Sequence, residues 1–507
     1  MRERIAEAWA LWSVLAAQAT LTLPWMWRTA AYTDEAMYLS ASHSSWPHLM
    51  AYAASFPGAP LLYPPLAAVI DSAGGLIAAR LLSLVFMLGA TALIYLIGDR
   101  LFGQIPGIFA ALLFAVCGIA VHLGAAATFD PMALFLLVLA LYAAVRMRDG
   151  GVRWLLLCPL ALAGANAAKY STIAWDPVIV AAIVLYGWSK GRAQAICLAT
   201  SVLATVAVVD FGILLIGGPG VGTGALVTTF YGSPQFGMPS SSVSVLAHAF
   251  LMIGLIVLIA IAGICMSVVK KMPPSATAFL CLLVFAALIA PIEQARVHQL
   301  PSLDENMGFG LPFAALGAGY ALGAWRQWLG RQRHWGKVVA TTAAVLTVIT
   351  MLVVGRVERV QFRGPGAANA ASVVAAIRQN YVSNTFVLDD RTTTMEQYYL
   401  PEIPAGMWVR SAAVTSPYQF VQMQQRICSG YFSVIVLRTA QGSSEDAVVQ
   451  LLKESKQYEL ARETGTGTQI TRVWNLRHPG SSTSQQSGSA SHPGQAAKRL
   501  DRPQAGC

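Results

Sequence analysis

The chain has 507 residues, of which 56% are hydrophobic and only 11% are charged. Soluble globular domains carry about 25% charged residues, so this composition excludes an ordinary soluble enzyme. The net charge of +10 could indicate a nucleic-acid-binding protein, but in a membrane protein lysine and arginine collect in the cytoplasmic loops. We therefore expect a polytopic membrane protein that binds no nucleic acid.

Apolar segments recur along the first 355 residues, which form one predicted transmembrane module (1–355). A bilayer with a hydrocarbon core about 30 Å thick is crossed by about 20 apolar helical residues. On this criterion the sequence predicts a mainly α protein with about eleven membrane-spanning helices. The predicted spans are roughly 5–27, 78–98, 106–123, 131–147, 154–169, 171–188, 194–216, 243–269, 275–293, 307–325 and 338–355.

Basic residues fall in alternate loops between these spans. If the N-terminus is cytoplasmic, nearly every basic cluster of the short loops lies on the cytoplasmic side, as the positive-inside rule requires. An odd number of spans then places the C-terminal region outside the membrane. The clusters are Arg2 and Arg4, Arg100, Arg146 to Arg153, Lys190 and Arg192, Lys270 and Lys271, and Arg326 to Lys337.

After about residue 356 the pattern changes to that of a soluble α/β domain. Residues 372–381 and 446–455 have helical periodicity, whereas 385–388 and 433–437 are apolar, β-branched runs typical of strands. We predict a small extracytoplasmic α/β domain over 356–476. Residues 477–507 are rich in Ser, Gly, Gln and Pro, which predicts a disordered tail.

The predicted outer loops contain few charged residues, and these lie close to the ends of the spans. Asp34 and Glu35 form an acidic pair just after the first span, and Asp130 lies in the next outer loop. The cationic candidates in later outer loops are Lys169, Arg296 and His298. A carboxylate can act as general base on an acceptor hydroxyl, and cationic groups can stabilise a leaving phosphate. The pattern therefore suits group transfer at the membrane surface, with solvated interfacial charges as the alternative.

Other polar features indicate structural roles. Asp210 lies within a span, where a carboxylate is costly, and pairing within the helix bundle is favoured over an outer cavity. Asp176 precedes Pro177 and is expected to satisfy backbone groups that the proline leaves free. The glycine-rich stretch 308–323 indicates a helix-packing surface. Two carboxylates with nearby histidines leave a divalent cation open, but their spacing is not diagnostic of a metal site, and no other cofactor is predicted.

Five short motifs carry a family resemblance. They are Thr33-Asp-Glu-Ala-Met-Tyr38, Tyr63-Pro-Pro-Leu66, Arg80-Leu-Leu-Ser83, Leu101-Phe-Gly103 and Thr128-Phe-Asp130. Together they resemble the GT-C superfamily of membrane glycosyltransferases. The branch they look most like is the bacterial relatives of dolichyl-phosphate-mannose protein mannosyltransferases, which also resemble the lipid A aminoarabinose transferases. The likeness covers roughly residues 5–325 and is strongest over the first 180.

The resemblance implies an activity and a set of site residues. It implies inverting transfer of a sugar, with mannose as a candidate, from a polyprenyl-phosphate donor to an extracytoplasmic protein, glycan or lipid at the bacterial plasma membrane. Asp34 matches the family's catalytic base, Glu35 is its partner, and Asp130 matches a second acidic residue. Tyr63 stands where the aminoarabinose transferases have a lysine that contacts the donor phosphate. Lys169, Arg296 and His298 are the candidates to supply that charge instead.

A membrane transporter or lipid flippase is the main alternative. Such proteins usually place ionisable residues near the bilayer midplane, on broken helices of paired repeats. Here the acidic residues concentrate at the predicted outer ends, and the sequence shows no repeat. A catalytically inert scaffold is a third possibility, and it requires the acidic residues to be dispensable.

Overall fold

The computed structural model describes residues 2–27, 30–42, 61–188, 191–231, 240–300, 303–332, 345–355, 370–389, 393–410, 417–440, 445–466 and 469–477, with 338 and 342 besides. From residue 478 onward the predicted disordered tail lies outside the described residues. The chain divides into two compact units. The helical unit consists of residues 1–28 and 41–362, and the C-terminal unit consists of residues 29–40 and 363–507. The predicted domain boundary at 356 stays a prediction, because residues 356–369 are not described.

The described chain up to residue 355 is helical. Its helices are α1 (Arg2–Met26), α2 (Thr33–Ser42), α3 (Tyr63–Phe102), α4 (Gln104–Val116), α5 (Gly118–Ala125), α6 (Asp130–Met147), α7 (Val152–Ala168), α8 (Asp176–Gly187), α9 (Arg192–Tyr231), α10 (Ser242–Val269), α11 (Pro274–Arg296), α12 (Leu303–Gln332) and α13 (Val345–Gly355). A 3₁₀ turn, Tyr170–Trp175, joins α7 to α8.

The described helices confirm the mainly α membrane fold. Seven of them are long and apolar enough to cross a bilayer, and the pair α4 and α5 adds an eighth if it is counted as one span. Helices α7 and α13 are shorter apolar helices. The prediction of about eleven spans therefore stays a prediction, although a described helix overlaps each predicted segment.

Two backbone breaks change the predicted helix boundaries. Helix α3 begins at Tyr63, well before the predicted span at 78, and prolines at its first positions favour this start. Gly74 and Gly75 then leave helical geometry, Gly75 with φ +64°, so the long helix is kinked there. Between α4 and α5, Cys117 is extended and the two axes differ by 61°. The predicted span 106–123 is therefore broken.

Helix α12 lies at the centre of the helical unit, and its most apolar window is completely buried. Glycine allows its neighbours to approach closely. A Cβ added to Gly319 would lie 2.5 Å from the carbonyl oxygen of Pro106, and one added to Gly310 would lie 2.7 Å from that of Ala287. The glycine-rich stretch 308–323 is thus a packing surface, as the sequence indicates.

The described elements of the C-terminal unit are α14 (Ala370–Asn380), β1 (Phe386–Asp389), α15 (Thr393–Tyr399), β2 (Trp408–Arg410), α16 (Pro417–Cys428), β3 (Phe432–Ala440), α17 (Glu445–Glu454), β4 (Tyr458–Thr466) and β5 (Gln469–Leu476). The strands form one five-stranded mixed sheet with strand order β2-β1-β3-β5-β4. Strands β1, β2 and β3 are parallel, and β5 is antiparallel to both β3 and β4.

Alternating residues of the sheet enter two separate cores. Val434 and Val436 pack with residues of α14 on one face, whereas Ile435 and Leu437 pack with residues of α16 and α17 on the other. This alternation follows from the two-residue period of a strand. The two predicted strands and two predicted helices coincide with β1, β3, α14 and α17.

Candidate functional site

Five of the predicted site residues belong to one end of the helical unit. Asp130 begins α6, and Lys169 directly follows α7, which returns antiparallel to α6. The backbone N–H groups of Leu61 and Leu62 donate to the carbonyl oxygen of Ala167, at 3.0 and 3.4 Å. These bonds bring the turn before Tyr63 against the end of α7. Arg296 ends α11 and His298 lies in the turn that leads to α12, at the same end of the bundle.

Asp130 and Lys169 form a buried ion pair. The Lys169 ammonium Nζ donates to Asp130 Oδ1 at 2.6 Å, and the side chains are 8% and 0% exposed. Asp130 Oδ2 is also buried and has no hydrogen-bond partner among the described residues. The pair joins residues 39 positions apart in the sequence. The structure therefore places a preformed charge pair where α6 and α7 meet.

Aromatic rings and a second carboxylate surround the ammonium group of Lys169. Nζ lies 5.4 Å from the ring centroid of Phe129 and 5.1 Å from that of Phe309, distances typical of cation–π contacts. Glu305, in the first turn of α12, supplies a second carboxylate that attracts this ammonium group. The ammonium group is therefore held among two aromatic rings and two carboxylates.

A second polar contact involves the helix that carries Glu305. His122 Nε2 is 3.5 Å from Asp304 Oδ2, and both side chains are mostly buried. This contact ties the end of α5 to the first turn of α12. Polar groups from α5, α6, α7 and α12 therefore meet at this end of the bundle.

The other three cation or phosphate-site candidates differ in their surroundings. Tyr63 is completely buried. Arg296 is half exposed and makes two hydrogen bonds to Glu293, at 2.9 and 2.5 Å. His298 has a left-handed backbone, with φ +56°, and its Nδ1 lies 3.1 Å from the carbonyl oxygen of Ser240. Arg296 and His298 thus have local partners on the surface, whereas Lys169 is buried.

The predicted acidic pair belongs to the C-terminal unit, which contains residues 29–40. Asp34 and Glu35 lie in the first turn of α2. Glu35 is completely buried, and its Oε2 accepts a hydrogen bond of 2.8 Å from the backbone N–H of Tyr32. This is half of a capping box, in which an acidic side chain in the first turn binds the N-cap backbone. Asp34 is half-buried.

Sequence reasoning missed two buried polar groups of the helical unit. The Arg80 guanidinium is completely buried, and its Nη1 donates to the carbonyl oxygen of Met26 at the end of α1, at 2.5 Å. Asn166 Nδ2 donates to Asp176 Oδ2 at 3.1 Å and to Asp210 Oδ2 at 2.9 Å. The pairing expected for Asp210 is therefore observed. Asp176 accepts from this side chain, and no described backbone group near the proline binds it.

Within the described ranges, no group of three or more His, Cys, Asp or Glu side chains is arranged to hold a metal ion. The divalent cation that the sequence leaves open therefore has no candidate ligand set among these residues.

Comparisons with known proteins identify the fold. Residues 57–213 match the family model described as dolichyl-phosphate-mannose-protein mannosyltransferase. No match to a curated protein reaches significance. The sequence resemblance to GT-C glycosyltransferases is confirmed by this match together with the similar solved structures.

The similar structures are distant in sequence but cover most of this chain. ArnT from Cupriavidus metallidurans, bound to undecaprenyl phosphate, is 16% identical with a TM-score of 0.62, over 93% of this chain and 98% of that one. The Archaeoglobus fulgidus oligosaccharyltransferase is 10% identical with a TM-score of 0.56, over 85% and 69%. Arabinofuranosyltransferase AftD from Mycobacteria is 13% identical with a TM-score of 0.55, over 93% and 40%. The chain thus has the GT-C membrane glycosyltransferase fold.

Proposed function

We propose that the protein is an inverting glycosyltransferase that moves a sugar from a polyprenyl-phosphate donor to an extracytoplasmic acceptor. The buried Asp130–Lys169 pair is the observation that carries the proposal, because it supplies a fixed cation at one end of the GT-C fold. The ArnT structure that resembles this chain contains undecaprenyl phosphate, a lipid phosphate of the proposed class. The matched family model makes mannose the first sugar to test.

In the proposed reaction, Asp34 is the general base. The acceptor hydroxyl oxygen attacks the anomeric carbon of the donor sugar, and its proton passes to the Asp34 carboxylate. The bond between the anomeric carbon and the phosphate oxygen breaks, and its electron pair stays on the polyprenyl phosphate. A single displacement inverts the configuration of the sugar. Glu35 supports the base, because its hydrogen bond to Tyr32 fixes the first turn of the helix.

Lys169 is the proposed main ligand of the donor phosphate. Its only described hydrogen bond goes to Asp130, so two of its three N–H donors are available to phosphate oxygens. Asp130 acts here by holding the ammonium group in place, and the charge that develops on the leaving phosphate is stabilised by a preorganised cation. Tyr63, Arg296 and His298 are secondary candidates for the same phosphate.

Orientation and partners are part of the proposal. The N-terminus is cytoplasmic, the C-terminal domain is extracytoplasmic, and the membrane is the bacterial plasma membrane. The acceptor is a protein, a glycan or a lipid that carries a hydroxyl group. Digestion of the C-terminal domain by protease added to intact spheroplasts is expected, and its protection would contradict this orientation.

The activity is tested by sugar release from radiolabelled polyprenyl-phosphate mannose, with purified wild-type protein beside Asp34→Asn. We expect release by the wild type and a loss of at least about a hundredfold in Asp34→Asn, because a general base contributes that much or more. Asp71→Asn is the matched control, since Asp71 is another carboxylate of the first predicted outer loop. Equal release by wild type and Asp34→Asn would remove Asp34 from the reaction.

Three further experiments test the phosphate ligand, the divalent cation and the transporter or flippase alternative. Lys169→Met is expected to raise the donor KM, whereas Lys270→Met, at the predicted cytoplasmic end, leaves it unchanged. Chelation with EDTA tests the divalent cation directly. Movement of the lipid across vesicles without sugar release, unaffected by Asp34→Asn, would instead establish the transporter or flippase function.

A further inference from the structure

The segment that carries the acidic pair is bound by a tyrosine of the C-terminal domain. Residues 29–40 and the domain belong to the same compact unit. The backbone N–H of Ala31 donates to the phenolic oxygen of Tyr399, the last residue of α15, at 2.7 Å. Ala31 is completely buried. The hydrogen bond therefore joins chain positions 368 residues apart.

This contact lies directly before the turn that contains Asp34. Helix α2 begins at Thr33, and the N–H of Tyr32 binds Glu35 Oε2. The N–H of Ala36 donates to the carbonyl oxygen of Tyr32 at 2.9 Å and closes the first turn. Because Ala31 and Tyr32 are both held, the helix has a fixed starting point, and the Asp34 backbone has little freedom to shift.

Helix α15, which presents Tyr399, is itself anchored to the sheet by a buried ion network. Arg438 of β3 binds Glu396 of α15 and also Asp389 of β1, with 3.2 Å to the latter. Glu396 and Asp389 are completely buried. Arg378 Nη2 also donates to the carbonyl oxygen of Tyr399 at 3.0 Å. These contacts thus hold Tyr399 in place independently of its hydrogen bond with Ala31.

We propose that Tyr399 is a positioning residue for sugar transfer, through which the C-terminal domain sets the place of the Asp34 carboxylate. This inference rests on the proposed function, in which Asp34 is the base. Tyr399 touches neither donor nor acceptor in this scheme, and it acts only through Ala31 and the first turn of α2. The domain is then part of the catalytic apparatus in addition to any role in acceptor binding.

The test compares two Tyr→Phe substitutions in the full-length protein. Tyr399→Phe removes one oxygen atom and leaves the ring, so the Ala31 N–H loses its acceptor. Tyr458→Phe is the matched control, because the Tyr458 hydroxyl donates to the carbonyl oxygen of Phe432 at 2.9 Å in a different core of the same domain. Each variant loses the described hydrogen bond of its tyrosine hydroxyl, and of these two bonds the one at Tyr399 is the described link to the segment before α2.

We expect Tyr399→Phe to lower kcat about tenfold with an unchanged donor KM, because misplacement of a base affects the chemical step and not donor binding. Tyr458→Phe is expected to keep kcat and KM, whatever its effect on thermal unfolding. In the Asp34→Asn background, Tyr399→Phe should cause no further loss, since the group that it positions is already absent.

Three outcomes would overturn the inference or its premise. If Tyr399→Phe behaves like Tyr458→Phe while Asp34→Asn is inactive, Tyr399 does not position the base. If Tyr399→Phe lowers the residual activity of Asp34→Asn by the same factor as in the wild type, its role is a general structural one. If Asp34→Asn is as active as the wild type, the proposed base is wrong, which is a failure of the proposed function itself.

Discussion

Substitution of Lys169 by methionine keeps most of the side-chain volume but removes the positive charge that lies 2.6 Å from Asp130 Oδ1. At this distance and an effective dielectric constant of about 20, the attraction is about 6 kcal/mol. Desolvation of two buried ions costs several kcal/mol each, so the net contribution of the intact pair is small. Removing one partner leaves the other charge buried and unpaired, which costs about 3–5 kcal/mol. We expect Lys169→Met to destabilise the helical unit by this amount.

The double variant Asp130→Leu/Lys169→Met compares the stability lost when the whole ion pair is removed with the stability lost when one partner is removed alone. Asp130→Leu alone leaves an unpaired ammonium group and should cost about as much as Lys169→Met. In the double variant neither charge of the pair remains, so its loss of stability should be smaller than the sum of the single losses by at least about 2 kcal/mol. The donor KM should stay raised, as in Lys169→Met, because stability returns without the cation.

The assay is thermal unfolding of the purified variants in one detergent, beside donor-dependent sugar release. Arg100→Met is the matched control, since Arg100 pairs with Asp149 at the surface, with side chains 43% and 26% exposed. An exposed pair contributes less than about 1 kcal/mol. Single losses no larger than that of Arg100→Met, or losses that simply add in the double variant, would refute the electrostatic coupling of Lys169 and Asp130.

Three further substitutions test packing, the domain network and the phosphate site. Gly319→Ala places a Cβ against the backbone of α4 and should cost about 1–3 kcal/mol in thermal unfolding, whereas Gly212→Ala meets nothing within 4 Å and should not destabilise. Arg438→Gln removes the guanidinium that pairs with two buried carboxylates and should destabilise the C-terminal unit by about 3 kcal/mol, measured by its protease sensitivity, against less than about 1 kcal/mol for Arg477→Gln, whose pair with Glu459 is exposed. Glu305→Gln removes a negative charge near the buried ammonium group and should lower the donor KM; an increase would contradict phosphate binding there.

Hydropathy predicts the helices well, because long apolar segments have few alternatives to a membrane helix. It does not predict the break at Cys117, since the sequence from Gln104 to Ala125 is apolar on both sides of it. The kink in α3 is marked in the sequence by Gly74 and Gly75, yet glycine pairs also occur in straight membrane helices. Backbone breaks of this kind depend on packing against neighbouring helices, which the sequence does not display.

Charge patterning selects the candidate residues but not their partners. Asp130 and Lys169 are conspicuous as single charges at predicted helix ends, and only the fold shows that they bind each other. Charge patterning does not select Asn166, because its side chain is a neutral amide within an apolar span. The sequence also does not predict the contact between Tyr399 and Ala31, since it joins two segments that lie 368 positions apart.

The Asp130–Lys169 pair and the Asn166 cluster, both buried in the helical unit, suit different roles because only the pair contains a cation. The Asn166 amide gives its N–H groups to Asp176 and Asp210, and Asn166 Oδ1 accepts from the Thr172 hydroxyl at 2.7 Å, so its described hydrogen-bonding groups are all engaged. This cluster has no remaining described hydrogen-bond donor for an anion, because the Asn166 amide is fully engaged and its two neighbours are carboxyl groups. Its hydrogen bonds join α7, α8 and α9 and stabilise their packing. Lys169 retains N–H donors beyond its bond to Asp130. Of these two described clusters, only the one with Lys169 therefore offers N–H donors to a donor phosphate.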